Sequence, residues 1–426
     1  MSARGWIART VSNAVLPRAA GAWLLAVGGL SVGGCAEEGV PDAPGALEFS
    51  GPPGSGEPSL YASSDGRAIL TWLEPAPAEE HALRVAVREA ARWSEPRTVR
   101  RSASFFVNWA DFPSLTEFGD GTWAIHWLEK VAASPYAYHV RMALSRDDGL
   151  GWSEPFTPHA DRSPTEHGFV SMVPWGEGAA LVWLDGREMP VDGHGESGGE
   201  EEGAMTLRFT TLSGDGALGK EVLLDERTCE CCQTSLARTA DGLLVAYRDR
   251  GPEEVRDIYV TRLEGESWSV PHPVARDEWR QNACPVNGPQ LAAAGDRVVV
   301  AWFTGAGGEP RVYASFSEDG GMTFGEPLRV DAGRPIGRVE SVLLEDGAAL
   351  VAWLERAGGT AGLLVRRVGP AGGLSRPVRL GATSAARASG FPRLVRVGEE
   401  LLAAWTVPGP AGGVRVGSFP LEAFEE

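Results

Sequence analysis

One phrase recurs seven times along this chain and leaves few folds open to it: a short apolar run that follows a turn and ends in a large aromatic. It reads RAILTW ending at Trp72, TWAIHW at Trp127, AALVW at Trp183, LLVAY at Tyr247, VVVAW at Trp302, AALVAW at Trp353 and LLAAW at Trp405. The aromatics lie 55, 56, 64, 55, 51 and 52 residues apart. Runs this short, rich in β-branched and aromatic residues, favour strands. A further strand precedes each phrase, often introduced by proline, as at Pro58, Pro113, Pro289 and Pro392. A third strand follows, then a fourth with a Trp-Ser-x-Pro flavour at Trp93, Trp152 and Trp268, varied at Phe324. Four strands per repeat predict an all-β chain, a β-propeller of four-stranded antiparallel blades, seven by this count. A solenoid is the rival, but its repeats are usually shorter. The last unit has room for three strands, so Ala46–Ser50 is expected to supply its fourth and close the ring.

Composition agrees with that class. The 55 Gly and 30 Pro suit many tight turns, and 15 Trp supply large core side chains. The formal net charge of −18 repels phosphate backbones and anionic headgroups, so nucleic acid is excluded as a partner and an anionic ligand would need its own arginine pocket. Residues 1–34 carry Arg4, Arg9 and Arg18 before an uncharged apolar stretch too short to span a bilayer, the pattern of an export signal. It ends in Val32-Gly33-Gly34-Cys35, which resembles a bacterial lipobox with Cys35 as the lipid acceptor. The expected organisation is therefore a lipoprotein signal peptide over 1–34, a lipidated Cys35 and tether over 35–45, and one propeller over 46–426. Such a protein is exported and held at the periplasmic or outer-membrane face, touching the membrane only through its lipid, and a monomer is expected. The acidic, Gly-rich loop from Asp192 to Gly203 reads as disordered.

Two loops between third and fourth strands match Ser-x-Asp-x-Gly-x-x-aromatic, at Ser145 to Trp152 and Ser317 to Phe324. The aspartate can bind backbone N–H groups of its own turn and the glycine can take positive φ. With these Asp-boxes in phase with the repeat, the chain resembles the bacterial sialidase-like, BNR-repeat proteins over about Leu47 to Leu421. Sialidases have six blades, so a six-bladed ring remains the alternative. The resemblance implies exo-α-sialidase chemistry, in which arginines hold the substrate carboxylate, an aspartate is the acid/base, and a tyrosine activated by a glutamate is the nucleophile. Carried onto this chain, it makes Asp111 the acid/base and Tyr247 with Glu340 the nucleophile pair, although Tyr247 sits at a core position and no tyrosine follows Tyr313.

In a propeller the innermost strands line the central channel, so residues at their starts converge on one mouth. By phase these include Trp109, Asp111, Glu166, His167, Asn282, Asn287, Arg338, Glu340 and Arg387. Arg338 and Glu340, two apart, would share one face of a strand. A second polar set follows the recurrent aromatics: Glu74, Glu129, Asp185 with Arg187, Arg248 to Arg250, and Glu355. Arg187, Arg248, Arg338 and Arg387 are candidates for holding an anion through their planar forks. For blade four the favoured reading is that Arg248, Asp249, Arg250, Arg256 and Asp257 pair with one another. Trp109 could stack on a sugar ring. The expected ligand is a glycan or other small anionic molecule, bound with or without turnover.

Cys229, Cys231, Cys232 and Cys284 fall just before the first strands of units four and five, so the fold brings them together. Disulfides suit an exported protein, and one linking the two units is the natural pairing. A copper or zinc thiolate site is the alternative, although Cys-x-Cys-Cys matches no standard zinc spacing; no other cofactor is required. In an extended segment Cys229 and Cys231 would face one way and Cys232 the other.

Overall fold

The computed structural model describes residues 40–189 and 203–425. The expected signal, Cys35 and nearly all of the loop from Asp192 to Gly203 lie outside the described residues. The remainder forms seven small antiparallel sheets in chain order. Blade one comprises Gly56–Ala62, Ala68–Ala76, Glu80–Glu89 and Arg97–Ser102, and blade two Ser114–Glu117, Trp123–Lys130 and Tyr138–Ser145. Blade three runs from His167–Trp175 to Val222–Asp225, and blade four from Ser235–Arg238 to His272–Pro273. Blade five runs from Gln290–Ala294 to Leu328–Arg329 and blade six from Pro335–Leu343 to Val378–Ser384. Blade seven joins Arg393–Val397, Glu400–Val407 and Gly413–Pro420 to Ala46–Ser50. The fold is a seven-bladed propeller, so the six-bladed alternative falls. Blade two keeps only three strands, its fourth reduced to a bridge between Met142 and Phe156.

Ring closure happens as the incomplete last repeat requires. Ala46–Ser50 adds to the outer edge of blade seven, with Ala46 opposite Ser418 and Ser50 opposite Arg415. Blade one grips this strand from the side. Arg88 donates to both carboxylate oxygens of Glu48 at 2.6 and 2.7 Å and to Glu400 at 3.0 Å, while Phe49 meets Trp72 edge-on at 5.1 Å.

The core is seven apolar clusters, each filling one gap between neighbouring blades. The cluster joining blade seven to blade one, built around Leu70, Trp72, Leu402 and Val416, completes the circle. Each recurrent aromatic sits on a second strand within this core, and in four blades its polar edge is satisfied by a carboxylate two residues on. The indole N–H groups of Trp72, Trp127, Trp183 and Trp353 donate to Glu74, Glu129, Asp185 and Glu355 at 2.7 to 3.1 Å. A buried donor without an acceptor costs about 1–3 kcal/mol, which explains why an acid follows these tryptophans. Most of the second polar set is therefore stapling the blades, and the Trp-Leu-Glu or Trp-Leu-Asp spelling was its sequence signal.

Both Asp-boxes fold as their spacing predicts. Asp147 accepts from Ser145 and from the Gly151 N–H at 2.8 Å each, and Asp319 accepts from Ser317 at 2.7 Å and the Thr323 N–H at 2.9 Å. Gly149 and Gly321 take φ of 77° and 87°, the left-handed region that glycine allows.

Candidate functional site

Strand register puts one residue of each innermost strand in the same layer around the axis. Each pairs with the residue just before the recurrent aromatic: Ser59, Ser114, Ser171, Ser235, Gln290, Glu340 and Arg393. All seven line a central channel of 490 Å³. Five neutral polar groups thus face one buried ion pair, Arg393 to Glu340 at 3.0 Å. Glu340 is spent on that pair and on the Ser341 N–H at 3.0 Å.

The alternation that would place Arg338 and Glu340 on one face fails, because this strand begins with a bulge. Register slips between Gly337 and Glu340, and Arg338 takes a φ of 57°. The same device occurs in blades one and three, where Glu57 and Phe169 follow a glycine with φ of 53° and 54°. One extra residue bends the strand and re-aims its side chain. Arg338 leaves the channel for the mouth, while Glu340 stays within it.

The mouth is not open. The segment between blades one and two crosses it: Ala110 O accepts from Gln233 of blade four at 2.5 Å, Trp109 stacks on Phe391 with centroids 6.0 Å apart, and Phe112 lies under Arg393 at 5.0 Å. These contacts reach blades four and seven from a loop that starts in blade one, so the loop spans the axis. Asn108 shapes it, its side-chain oxygen accepting the Ala110 N–H at 3.0 Å.

Asp111 is buried beneath this cap and accepts the Phe169 N–H at 2.7 Å. It lies against Gly168, where a Cβ would come within 2.1 Å of its carboxylate and 3.1 Å of the Tyr138 ring. The Tyr138 hydroxyl donates to Glu166, and Phe106 stacks on its ring at 4.0 Å. Sequence reasoning missed Tyr138, because it lies at the start of a third strand, out of phase with the mouth set. Burial, helped by the charge of Glu166 and opposed by the Phe169 N–H, pushes Asp111 up to about 8. The native protein therefore holds a proton that the unfolded chain releases near 3.8, and stability falls as pH rises from about 4 to about 8. Asp111→Asn is expected to flatten that decline, read as the difference in Tm between variant and wild type across the window. Parallel curves would refute the assignment.

Two arginines meet at the cap. The buried Arg338 donates to Ala386 O at 3.2 Å, Ser389 Oγ at 3.2 Å and Gly390 O at 3.1 Å, pinning the turn that carries the exposed Arg387. Both guanidiniums lie over the Trp109 ring, 4.8 and 6.0 Å from its centroid. Neither has a carboxylate partner among the described residues. Burial, with the like charge of Arg387, lowers Arg338 to about 10.

The other arginines are committed elsewhere. Arg187 forks onto Asp185 at 2.6 and 2.7 Å and reaches Glu221 at 2.7 Å. Arg248 is buried and spends its donors on the carbonyls of Asn287, Arg256 and Phe303 at 2.5 to 3.0 Å, with Trp279 beneath it at 4.9 Å. Its expected pairing with neighbouring aspartates gives way to carbonyls. Arg250 instead pairs with Glu230 and Glu254.

Tyr247 is a core residue of the gap between blades three and four, with its hydroxyl on Asp225. The structure thus divides the inferred catalytic set: Tyr247 is held by Asp225, Glu340 by Arg393, and Asp111 lies beside a different tyrosine. Asn287 is structural, its side-chain oxygen accepting the Arg338 N–H at 2.7 Å, and Asn282 is exposed. His167 is buried, 3.0 Å from Asp161 and stacked on His159 at 4.0 Å.

Cys231 and Cys284 form a disulfide, joining the entries to blades four and five. A turn at Glu230 and Cys231 breaks the expected extended geometry and brings Cys229 and Cys232 together, their sulfurs 3.3 Å apart, buried and unbonded. Burial raises the Cys229 thiol, but the hydrogen bond with Cys232 and the Arg256 charge outweigh it and bring it down to about 7.

No protein-family model matches the sequence, and no curated protein matches it. Solved structures do. An ulvan lyase, a polysaccharide lyase bound to a unit of glucuronate and sulfated rhamnose, aligns with a TM-score of 0.56 at 12% identity, over 88% of this chain and 96% of its own. The Penicillium chrysogenum α-L-arabinanase in complex with arabinobiose aligns at 0.49 and 13%, over 89% and 98%. The NanB sialidase of Streptococcus pneumoniae aligns at 0.46 and 12%, over 89% and 71%. At these identities the likeness shows the fold alone: the chain shares a β-propeller with structural neighbours that are carbohydrate-active proteins.

Proposed function

We propose that the protein binds an anionic carbohydrate, a uronate or a sulfated sugar, on the capped mouth of its propeller. The observation that carries this reading is the Arg387–Trp109–Arg338 stack. Two guanidiniums on one indole, neither with a carboxylate partner among the described residues, concentrate positive charge at the mouth of a protein of net charge −18. Planar guanidinium forks match carboxylate and sulfate oxygens, and the indole, held against Phe391, backs the two guanidiniums. Arg338 positions the turn and Arg387 meets the ligand. The ulvan lyase neighbour, whose own ligand contains glucuronate and a sulfated sugar, is in keeping with this class. Sialidase chemistry is the finer reading of the same mouth, and Asp111 would remain its acid. The proposal also places the protein outside the cytoplasm on a lipid carried by Cys35, supported by the signal and lipobox spelling of residues 1–35.

Titration calorimetry with uronate and sulfated oligosaccharides against neutral analogues tests it. Arg387→Ala is expected to weaken acidic ligands roughly 10- to 100-fold, the loss of one charge-assisted hydrogen bond, with Tm unchanged. Equal binding of neutral and acidic sugars, or an unaltered affinity in the variant, would sink the reading.

A further inference from the structure

We propose that Cys229 and Cys232 form a buried two-thiolate site for a soft monovalent metal ion, copper(I). Three features of the loop support it independently of any ligand at the mouth. The turn at Glu230 and Cys231 presents the two sulfurs to each other at 3.3 Å without a bond between them, and both are buried. Cys231, between them in sequence, is tied to Cys284 at the entry to the neighbouring blade, which anchors the loop that carries both sulfurs. The sulfurs of Cys229 and Cys232 thus lie well within the 4.8 Å over which one ion can be shared, whereas Cys231, although as near, is spent on its disulfide.

The charges around the pair suit a thiolate complex. Arg256 donates to the Cys229 sulfur at 3.1 Å and to Glu230 at 2.8 Å. Arg248, whose own carbonyl accepts the Cys229 N–H at 3.0 Å, has a buried guanidinium with no carboxylate partner among the described residues. Two thiolates around one copper(I) carry a single net negative charge, which that unmatched cation would balance. Loading breaks two S–H bonds, forms two Cu–S bonds, releases two protons and changes no oxidation state.

The donor set also selects the ion. Zinc in a structural site takes four ligands in a tetrahedron. Here the disulfide removes two sulfurs, and both Glu230 oxygens are occupied by Arg250 and Arg256. Two thiolates remain, a soft and low-coordinate set that favours copper(I) over zinc.

The test delivers copper(I) anaerobically from its bicinchoninate complex to the full chain with the Cys231–Cys284 bond intact. Thiol titration should first find two free cysteines, and loading should then transfer one copper per chain and mask both. X-ray absorption should show two sulfur ligands. Cys229→Ser and Cys232→Ser should each weaken transfer more than 100-fold, with circular dichroism confirming the fold. The proposal is overturned if wild-type protein takes no copper, if Cys229 and Cys232 are already joined as a second disulfide, or if well-folded variants bind as wild type. Because wild-type loading is itself decisive, a variant that fails to fold leaves the test standing.

Discussion

Deleting Ala46–Ser50 is expected to destabilise the propeller by about 4 kcal/mol and to make it aggregate. The strand brings little apolar surface, since Leu47 is 58% exposed and Phe49 half-buried. Its weight lies in what it completes. Removing Glu48 takes away the bidentate partner of buried Arg88, and breaking a buried pair costs about 3–5 kcal/mol, reduced here because Glu400 remains. Losing Phe49 opens contacts at 5.1 and 5.9 Å with Trp72 and Trp93. The bared edge of Gly413–Pro420 would then be a template for pairing with a second chain. Thermal unfolding followed by light scattering reads both effects. A deletion that melts with the wild type and stays clear in solution would mean that the ring closes without its first strand.

Replacing Cys231 and Cys284 together by serine should cost about as much. The bond closes a loop with a sequence separation of 53, for which the chain-entropy model gives about 4 kcal/mol. Denaturant melts of the double variant against wild type measure it, and a midpoint shift with an unchanged slope is the expected form. If wild type and variant melt together, the two cysteines are unlinked in solution.

Most of the architecture was legible in one dimension because propeller blades repeat. Trp72, Trp127, Trp183, Trp302, Trp353 and Trp405, with Tyr247, occupy equivalent places on seven second strands, and their spacing gave the blade count, while the short last unit called for the borrowed strand. The Asp-box turns were equally readable, since the bonds that Asp147 and Asp319 accept come from within four residues. The candidate site was legible only as a neighbourhood. Phase placed Asp111, Arg338, Arg387 and Trp109 near one end of the channel, but assigned none of them a partner.

Three departures have specific physical causes. The bulge at Arg338 overrides the two-residue alternation of a strand, so Arg338 and Glu340 part company. The turn at Glu230 does the same for the cysteines. The acids after Trp72, Trp127, Trp183 and Trp353, read as a second polar set, answer to the indole beside them.

The repeat itself, and with it the strand content, the ring and the order of blades, follows from local pattern: apolar alternation, turn residues and a large aromatic each act over a few neighbours, and their recurrence multiplies one local preference into a global shape. The partners of the polar side chains were decided only when the ring closed. A loop from blade one that lies across the axis brings Trp109 to Arg338 and Arg387, more than two hundred positions away, and Asp111 to Phe169 and Tyr138 of other blades. No local preference encodes such a crossing, because its free energy comes from contacts that exist only once distant blades stand side by side.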